Sequence, residues 1–130
     1  MLFRSWQVLL RTYRKLLAGM PPGRDAQCAL LAARATTCAA ELLAAHLLAR
    51  RAVPQEIWQW LHVSYAFADA RGIAEIVPAD GQGQSSAQAY ACAVLFALAQ
   101  PHALSPRDAL WTRAWARRFA PKLQIGRAHV

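Results

Sequence analysis

Proline and glycine cut this chain into apolar stretches, and each stretch repeats at the period of a helix. Leu2, Trp6, Leu9, Tyr13 and Leu16 recur at four-three-four-three spacing, which draws one apolar stripe along a helix over 2–18. Arg4, Arg11, Arg14 and Lys15 fill the other positions. Gly19-Met20-Pro21-Pro22-Gly23 ends that helix, because proline has no amide hydrogen and its ring clashes with the preceding turn. Over 24–51, Cys28, Leu31, Ala35, Cys38, Leu42, Ala45 and Ala49 fall on one heptad stripe. Leu30, Leu43 and Leu47 widen it, so this second helix is expected to be buried on more than one side.

Pro54 opens a third helix and Gly72 closes it. Trp58, Leu61, Tyr65 and Ala68 line one side; Ile57, Leu61, Ser64 and Ala68 line the next. Residues 73–77 are apolar, but a lone strand has no partner here, so an extended segment tucked onto the helices is expected. A loop follows over 78–84, with an Asp-Gly pair. Ser85-x-x-Gln88 is a capping box that starts a fourth helix. Its apolar run of eleven residues, 89–99, marks it as the expected central helix. Ser105-Pro106-Arg107-Asp108 starts a fifth, with Trp111, Trp115 and Phe119 four apart, and Pro121 is expected to end it. The fold class is therefore all-α: a five-helix array or bundle, its first two helices paired antiparallel through the Pro21-Pro22 turn.

The 130 residues suit one domain with a small core. The net charge is +8, and thirteen of the fifteen basic residues are arginine. Such a surface attracts nucleic acid, acidic proteins or anionic membranes, although a GC-rich genome also enriches Ala and Arg together. The basic residues are spread along the chain, so no tail-like binding segment stands out. Cys28, Cys38 and Cys92 have no metal-ligand spacing with one another or with His46, His62, His102 and His129. Cys28 and Cys38 are ten residues apart, about 15 Å along a helix, too far for a disulfide. All three are expected to be buried, unpaired and metal-free. With no run of 18 apolar residues and no signal-peptide pattern at the start, the expectation is a cytoplasmic protein without a membrane span.

Chemistry is poorly supported. The chain has no GxSxG, Walker A, HExxH or GxGxxG pattern, and its seven carboxylates are scattered. Asp69, Glu75 and Asp80 gather only around a loop. A non-enzymatic domain is expected, with no catalytic, cofactor-binding or metal-binding residue. Arg113-Ala114-Trp115-Ala116-Arg117 has the RxxxR form of half a cyclic di-GMP signature. It lies inside a helix and lacks the Asp/Asn-x-Ser-x-x-Gly half, so it reads as a solvated arginine edge. Trp58-Gln59-Trp60-Leu61-His62-Val63-Ser64-Tyr65 matches the start of a tetratricopeptide helix, with His62 in the glycine position. No 34-residue recurrence follows, so it reads as core packing with a possible helix-hairpin surface. Trp111, Trp115 and Phe119 are spaced as a core stripe rather than as a base-stacking platform.

Several segments form an ordered pattern. They are Leu9-Leu10-Arg11-Thr12-Tyr13 with Leu16-Leu17-Ala18-Gly19-Met20-Pro21, the stretch from Ile57-Trp58 to Arg71-Gly72, Tyr90 onward to Pro101-His102-Ala103-Leu104, and Arg118-Phe119-Ala120-Pro121. The order resembles the α-helical region of a proteobacterial PilZ-domain-containing family, some members of which are labelled molecular chaperones. The resemblance implies a bacterial cyclic di-GMP-responsive regulatory protein in which these residues are a helical interaction or scaffold module. Its partner would be a protein or the rest of its own chain, with cyclic di-GMP bound only through a domain elsewhere. No functional residue carries over. The alternative is a basic helical domain that binds nucleic acid or another anionic partner. An interaction module needs an exposed apolar groove; a nucleic-acid binder needs one continuous arginine face.

Ile125-Gly126-Arg127-Ala128-His129-Val130 is what one frame of a common short-read sequencing adapter encodes. The expectation is that 1–124 form a helical domain of a longer protein and that 125–130 are not native.

Overall fold

The computed structural model describes residues 8, 11–12, 15–16, 18–21, 23, 25–78, 83–100 and 104–123, without the side chains of 111, 115–116 and 118–123. Four helices are delimited: α1 (Asp25–Leu48), α2 (Gln55–Ala70), α3 (Ser86–Leu98) and α4 (Pro106–Leu123). No strand occurs among the described residues, so the fold is all-α. Val8, Arg11, Thr12, Lys15, Leu16, Ala18 and Gly19 are also helical, in agreement with a helix ahead of α1. The rest of its stripe, its pairing with α1, the Trp111–Trp115–Phe119 stripe and residues 125–130 lie outside what is described.

The core is built from small residues on α1 set against large ones on α2 and α3. Cys28, Ala29, Ala32, Ala35, Ala39, Leu43 and Leu47 form the buried face of α1. Ile57, Trp58, Leu61 and Tyr65 of α2 and Tyr90 and Val94 of α3 fill the space this leaves. The heptad stripe holds as far as Leu42: Ala45, and Ala49 just beyond α1, are exposed. A straight helix has 3.6 residues per turn, so it drifts about 20° per heptad away from a strict seven-residue repeat. Buried Thr36 donates its hydroxyl to the Ala32 carbonyl at 2.7 Å, so its own helix satisfies it.

The expectation of a central fourth helix needs correction. That helix, α3, packs against the other three delimited helices, but the most extensive packing belongs to α1, against α2 and α3. Gln88, Cys92 and Leu95 of α3 are exposed, so its apolar run is not buried all round. A second correction concerns Pro121, which α4 passes to reach Leu123. Proline at 121 cannot donate to the residue 117 carbonyl and crowds it, yet the helix continues two residues beyond. α1 is also long and apolar enough to cross a bilayer by length and composition, yet half of its most apolar window is buried inside the protein.

Helix ends are set by side chains and by left-handed corners. Ser85 Oγ accepts from the Gln88 amide at 3.2 Å, and Gln88 Oε1 accepts from the Ser85 amide at 3.0 Å, completing the capping box. Ser105 Oγ accepts from the Asp108 amide at the start of α4. At the end of α2, Gly72 has φ 72°. Its amide donates to Asp69 O, and Ile73 N–H donates to Ala68 O, a Schellman motif. α1 ends in the same way: Arg50 N–H donates to Leu47 O and Arg51 N–H to His46 O. Here the left-handed residue is Arg50, with φ 56°. Beyond α2, Ile73 and Ala74 are buried and the Ala74 carbonyl accepts from the Ala87 amide at 2.9 Å. Ile76 and Val77 are exposed, so only the first half of the 73–77 segment tucks in.

The thiols differ from expectation as well. All three are free, but only Cys28 is fully buried; Cys38 is half-buried and Cys92 exposed. On α3, Cys92 falls on the side turned away from Tyr90, Val94 and Ala97. Burial, and then the neighbouring Glu41 carboxylate, raise the Cys38 thiol above its ordinary value, which lowers its thiolate fraction.

Two outcomes follow. A dithiobis-nitrobenzoate titration of the native protein should show Cys92 reacting first, Cys38 more slowly and Cys28 only on unfolding. Three fast thiols would contradict the packing of α1. In urea unfolding, Arg50→Gly should stabilise by roughly 0.5 kcal/mol, since relief of about 1–2 kcal/mol of left-handed strain outweighs the extra freedom of glycine in the unfolded chain. Gly72→Ala should destabilise by about 1 kcal/mol.

Candidate functional site

The most perturbed titratable groups lie in the core. Trp58 and His62 are four apart on α2, and that spacing stacks their rings with centroids 6.0 Å apart. His62 Nδ1 is hydrogen-bonded to the Tyr90 hydroxyl at 2.9 Å. Tyr90 stacks on Tyr65 at 4.4 Å. All four side chains are essentially inaccessible. Burial alone lowers the His62 ring to about 4, so the ring is neutral at ordinary pH. Burial, then Asp69, pushes the Tyr65 phenol up to about 12; burial, then Tyr65, pushes Tyr90 up as well. Two polar atoms near this block, Trp58 Nε1 and Ser86 Oγ, have no hydrogen-bond partner among the described residues, a cost of about 1–3 kcal/mol each.

A buried His–Tyr pair could move a proton, but only if a substrate could reach it. None of the three described grooves is lined by His62 or Tyr90. Among the described residues no three of His, Cys, Asp and Glu gather into a metal-holding group. Sequence reading treated His62 as a departure from a glycine and missed its contacts. The readable signal was Trp58-x-x-x-His62 on a buried helix face.

The outer surface carries the remaining features. One groove of about 970 Å³ runs between the helical residues near 11–18 and α2, lined by Arg11, Lys15, Glu56, Gln59, Trp60 and Val63 among others. Glu56 Oε1 lies 3.4 Å from Arg11 Nη2 and accepts from Trp60 Nε1 at 3.2 Å. Arg71 clamps the neighbouring turn: its guanidinium donates to Met20 O at 3.1 Å and Pro21 O at 3.0 Å and lies over the Phe67 ring.

A second groove, about 620 Å³, opens where the α1–α2 corner meets the start of α4. Arg50, Arg51 and Arg107 line it, with Val53, Leu104, Ser105 and Asp108. From there the arginines continue along α4. At 100° per residue, positions 107, 110, 113, 114 and 117 fall within about a third of the helix circumference, and all five are exposed. Arg113 and Arg117 are thus a solvated arginine edge, and Arg107, on the same third of α4, also lines the groove of Arg50 and Arg51. The chain's basic residues looked evenly scattered in sequence, so this grouping was missed.

The buried histidine predicts a pH dependence. The unfolded ring protonates near 6.5 and the folded ring only near 4. Between those values the unfolded state binds more protons, so stability is full above about pH 6.5 and falls as the pH drops. The shift corresponds to about 3 kcal/mol lost by pH 4. Urea unfolding from pH 7.5 to 4 should show this slope, and His62→Gln, though less stable at neutral pH, should flatten it. An unchanged slope in His62→Gln would assign the acid sensitivity elsewhere.

No curated protein and no solved structure matches the chain. A family model does, over residues 1–129. It describes the N-terminal domain of the cyclic-di-GMP receptor FimW, and the chain belongs to that family.

Proposed function

We propose that this domain is the non-catalytic interaction module of a cyclic di-GMP receptor. In this reading the second messenger is bound by a PilZ-type domain outside these residues. The helical domain passes the signal to a protein partner or to the rest of its own chain, in the cytoplasm. The family match supports a regulatory setting; no chaperone activity is proposed. The observation that carries the reading is the division between core and surface. The most perturbed titratable groups, His62, Tyr65 and Tyr90, are sealed in the core with Trp58, whereas the open grooves are lined by exposed charges and partly exposed apolar residues. That arrangement suits recognition by surface complementarity rather than chemistry on an enclosed substrate.

A second reading, binding of an anionic partner, is favoured by the arginine pole at Arg50, Arg51 and Arg107. The two are compatible where the anionic partner is a protein.

Isothermal titration separates the parts. The isolated domain should give no saturable heat with cyclic di-GMP, because the Asp/Asn-x-Ser-x-x-Gly partner of Arg113 and Arg117 is missing. The full receptor with this domain deleted should keep its cyclic di-GMP affinity and lose its downstream response. Affinity of the isolated domain equal to that of the full receptor would overturn the proposal.

A further inference from the structure

Five exposed arginines lie at the α1–α2 corner and on the exposed third of α4, with Arg107 common to both. Arg50 and Arg51 sit in the α1–α2 corner, Arg107 in the first turn of α4, and Arg113 and Arg117 along the same α4 face. Among the described residues none of the five makes an ion pair. The chain from 104 to 123 carries five basic residues against one carboxylate, Asp108. In the middle of this face stands Leu110, 63% exposed. Half-buried Leu104 and buried Val53 give the adjoining groove an apolar floor.

Arg50 adds a separate observation. Its position needs φ 56°, which glycine adopts freely and arginine only at a cost. The residue therefore keeps a side chain where the backbone would prefer none, and that side chain points to the rim of the basic groove. Strain held at such a corner is a reason to look for a use of the side chain.

We infer that this face, Arg50, Arg51, Arg107, Arg113 and Arg117 around Leu110, docks an acidic amphipathic helix of a protein partner. The inference rests on the reading of the domain as an interaction module and names the chemistry of what it binds. Charge complementarity selects an acidic occupant. The leucine and the apolar floor select among acidic occupants. A nucleic-acid backbone brings phosphates but no apolar counterpart to an exposed leucine. A bilayer surface favours a broad apolar band beside the basic one, whereas here one leucine lies among three arginines of α4. An amphipathic helix with glutamates and leucines at i, i+3 and i+4 supplies both kinds of group from one stripe. It also tolerates Asp108 at the groove edge, because its acids are spaced rather than continuous.

The test is fluorescence anisotropy on the chain with four probes at one salt concentration. They are a labelled helical Glu–Leu amphipathic peptide, an oligoglutamate of equal charge, a duplex DNA of equal charge, and phosphatidylglycerol vesicles. The Glu–Leu peptide should bind tightest. Arg113→Glu/Arg117→Glu should weaken it about tenfold or more, the scale of two exposed charge pairs reversed. Arg34→Glu, a charge reversal on α1, should leave it nearly unchanged. Leu110→Ser should weaken the Glu–Leu peptide and spare oligoglutamate. Arg50→Gly should weaken the peptide while the protein becomes more stable, which no folding defect can imitate. Tighter binding of DNA or vesicles, or a peptide affinity indifferent to Arg113→Glu/Arg117→Glu, would overturn the inference. The interaction-module reading would still stand if deletion of the domain abolished the response of the full receptor, so the two can fail separately.

Discussion

The close approach of α1 to the aromatic block of α2 and α3 is the constraint on which the rest depends. Trp58, Tyr65 and Tyr90 are among the largest side chains of the core, and all are sealed. They fit because the opposing helix presents Cys28, Ala29, Ala32 and Ala39. A helix face of leucines in those places would hold the axes further apart and break the stack of Tyr65 on Tyr90. The arrangement is one of size matching, small against large, at native packing density. Its consequence is that the histidine on the same helix face is buried and neutral. His62 is buried because Trp58 and Tyr90 enclose it.

Much of this was legible in the residues. Pro54, Gly72, Ser85 with Gln88, and Ser105 with Pro106 each state a helix boundary by a local mechanism, and each boundary lies where that mechanism puts it. What failed did so for identifiable reasons. The heptad reading of α1 assumed a repeat of seven, and a straight helix drifts off it. The corner at Arg50 could not be read, because arginine gives no sign of left-handed backbone. An apolar run marked α3 as the central helix, yet its Leu95 is exposed. Composition alone cannot say which side of a helix a neighbour will cover. The exposure of Cys92 is the same failure in another residue.

The surface was less legible than the core. Periodicity reports what one helix buries, and it is silent on what two distant segments bring together. Arg50-Arg51 and Arg107 are more than fifty positions apart in sequence, and only the meeting of the α1–α2 corner with the start of α4 makes them neighbours. The RxxxR pattern drew attention to Arg113 and Arg117, although its Asp/Asn-x-Ser-x-x-Gly partner is absent from these residues. Their position on an exposed face of α4 is what gives them meaning.

Core and surface are nearly independent here, and that independence bears on how such a domain could be regulated. The arginines of the basic face contribute little to folding: they are exposed, and exposed charges are worth little to stability. Gathering them on one side does carry a cost, because like charges repel and a net charge of +8 opposes compaction. A partner that neutralises the face removes that repulsion, so binding and folding stability are coupled through the same charges. The coupling is electrostatic and therefore falls with added salt over a Debye length of about 8–10 Å. The aromatic core, apolar and closed, has no such dependence. A signal that alters the charge facing these arginines would change what the domain holds, and its stability by the same electrostatic amount, while the packing of the aromatic core stays in place.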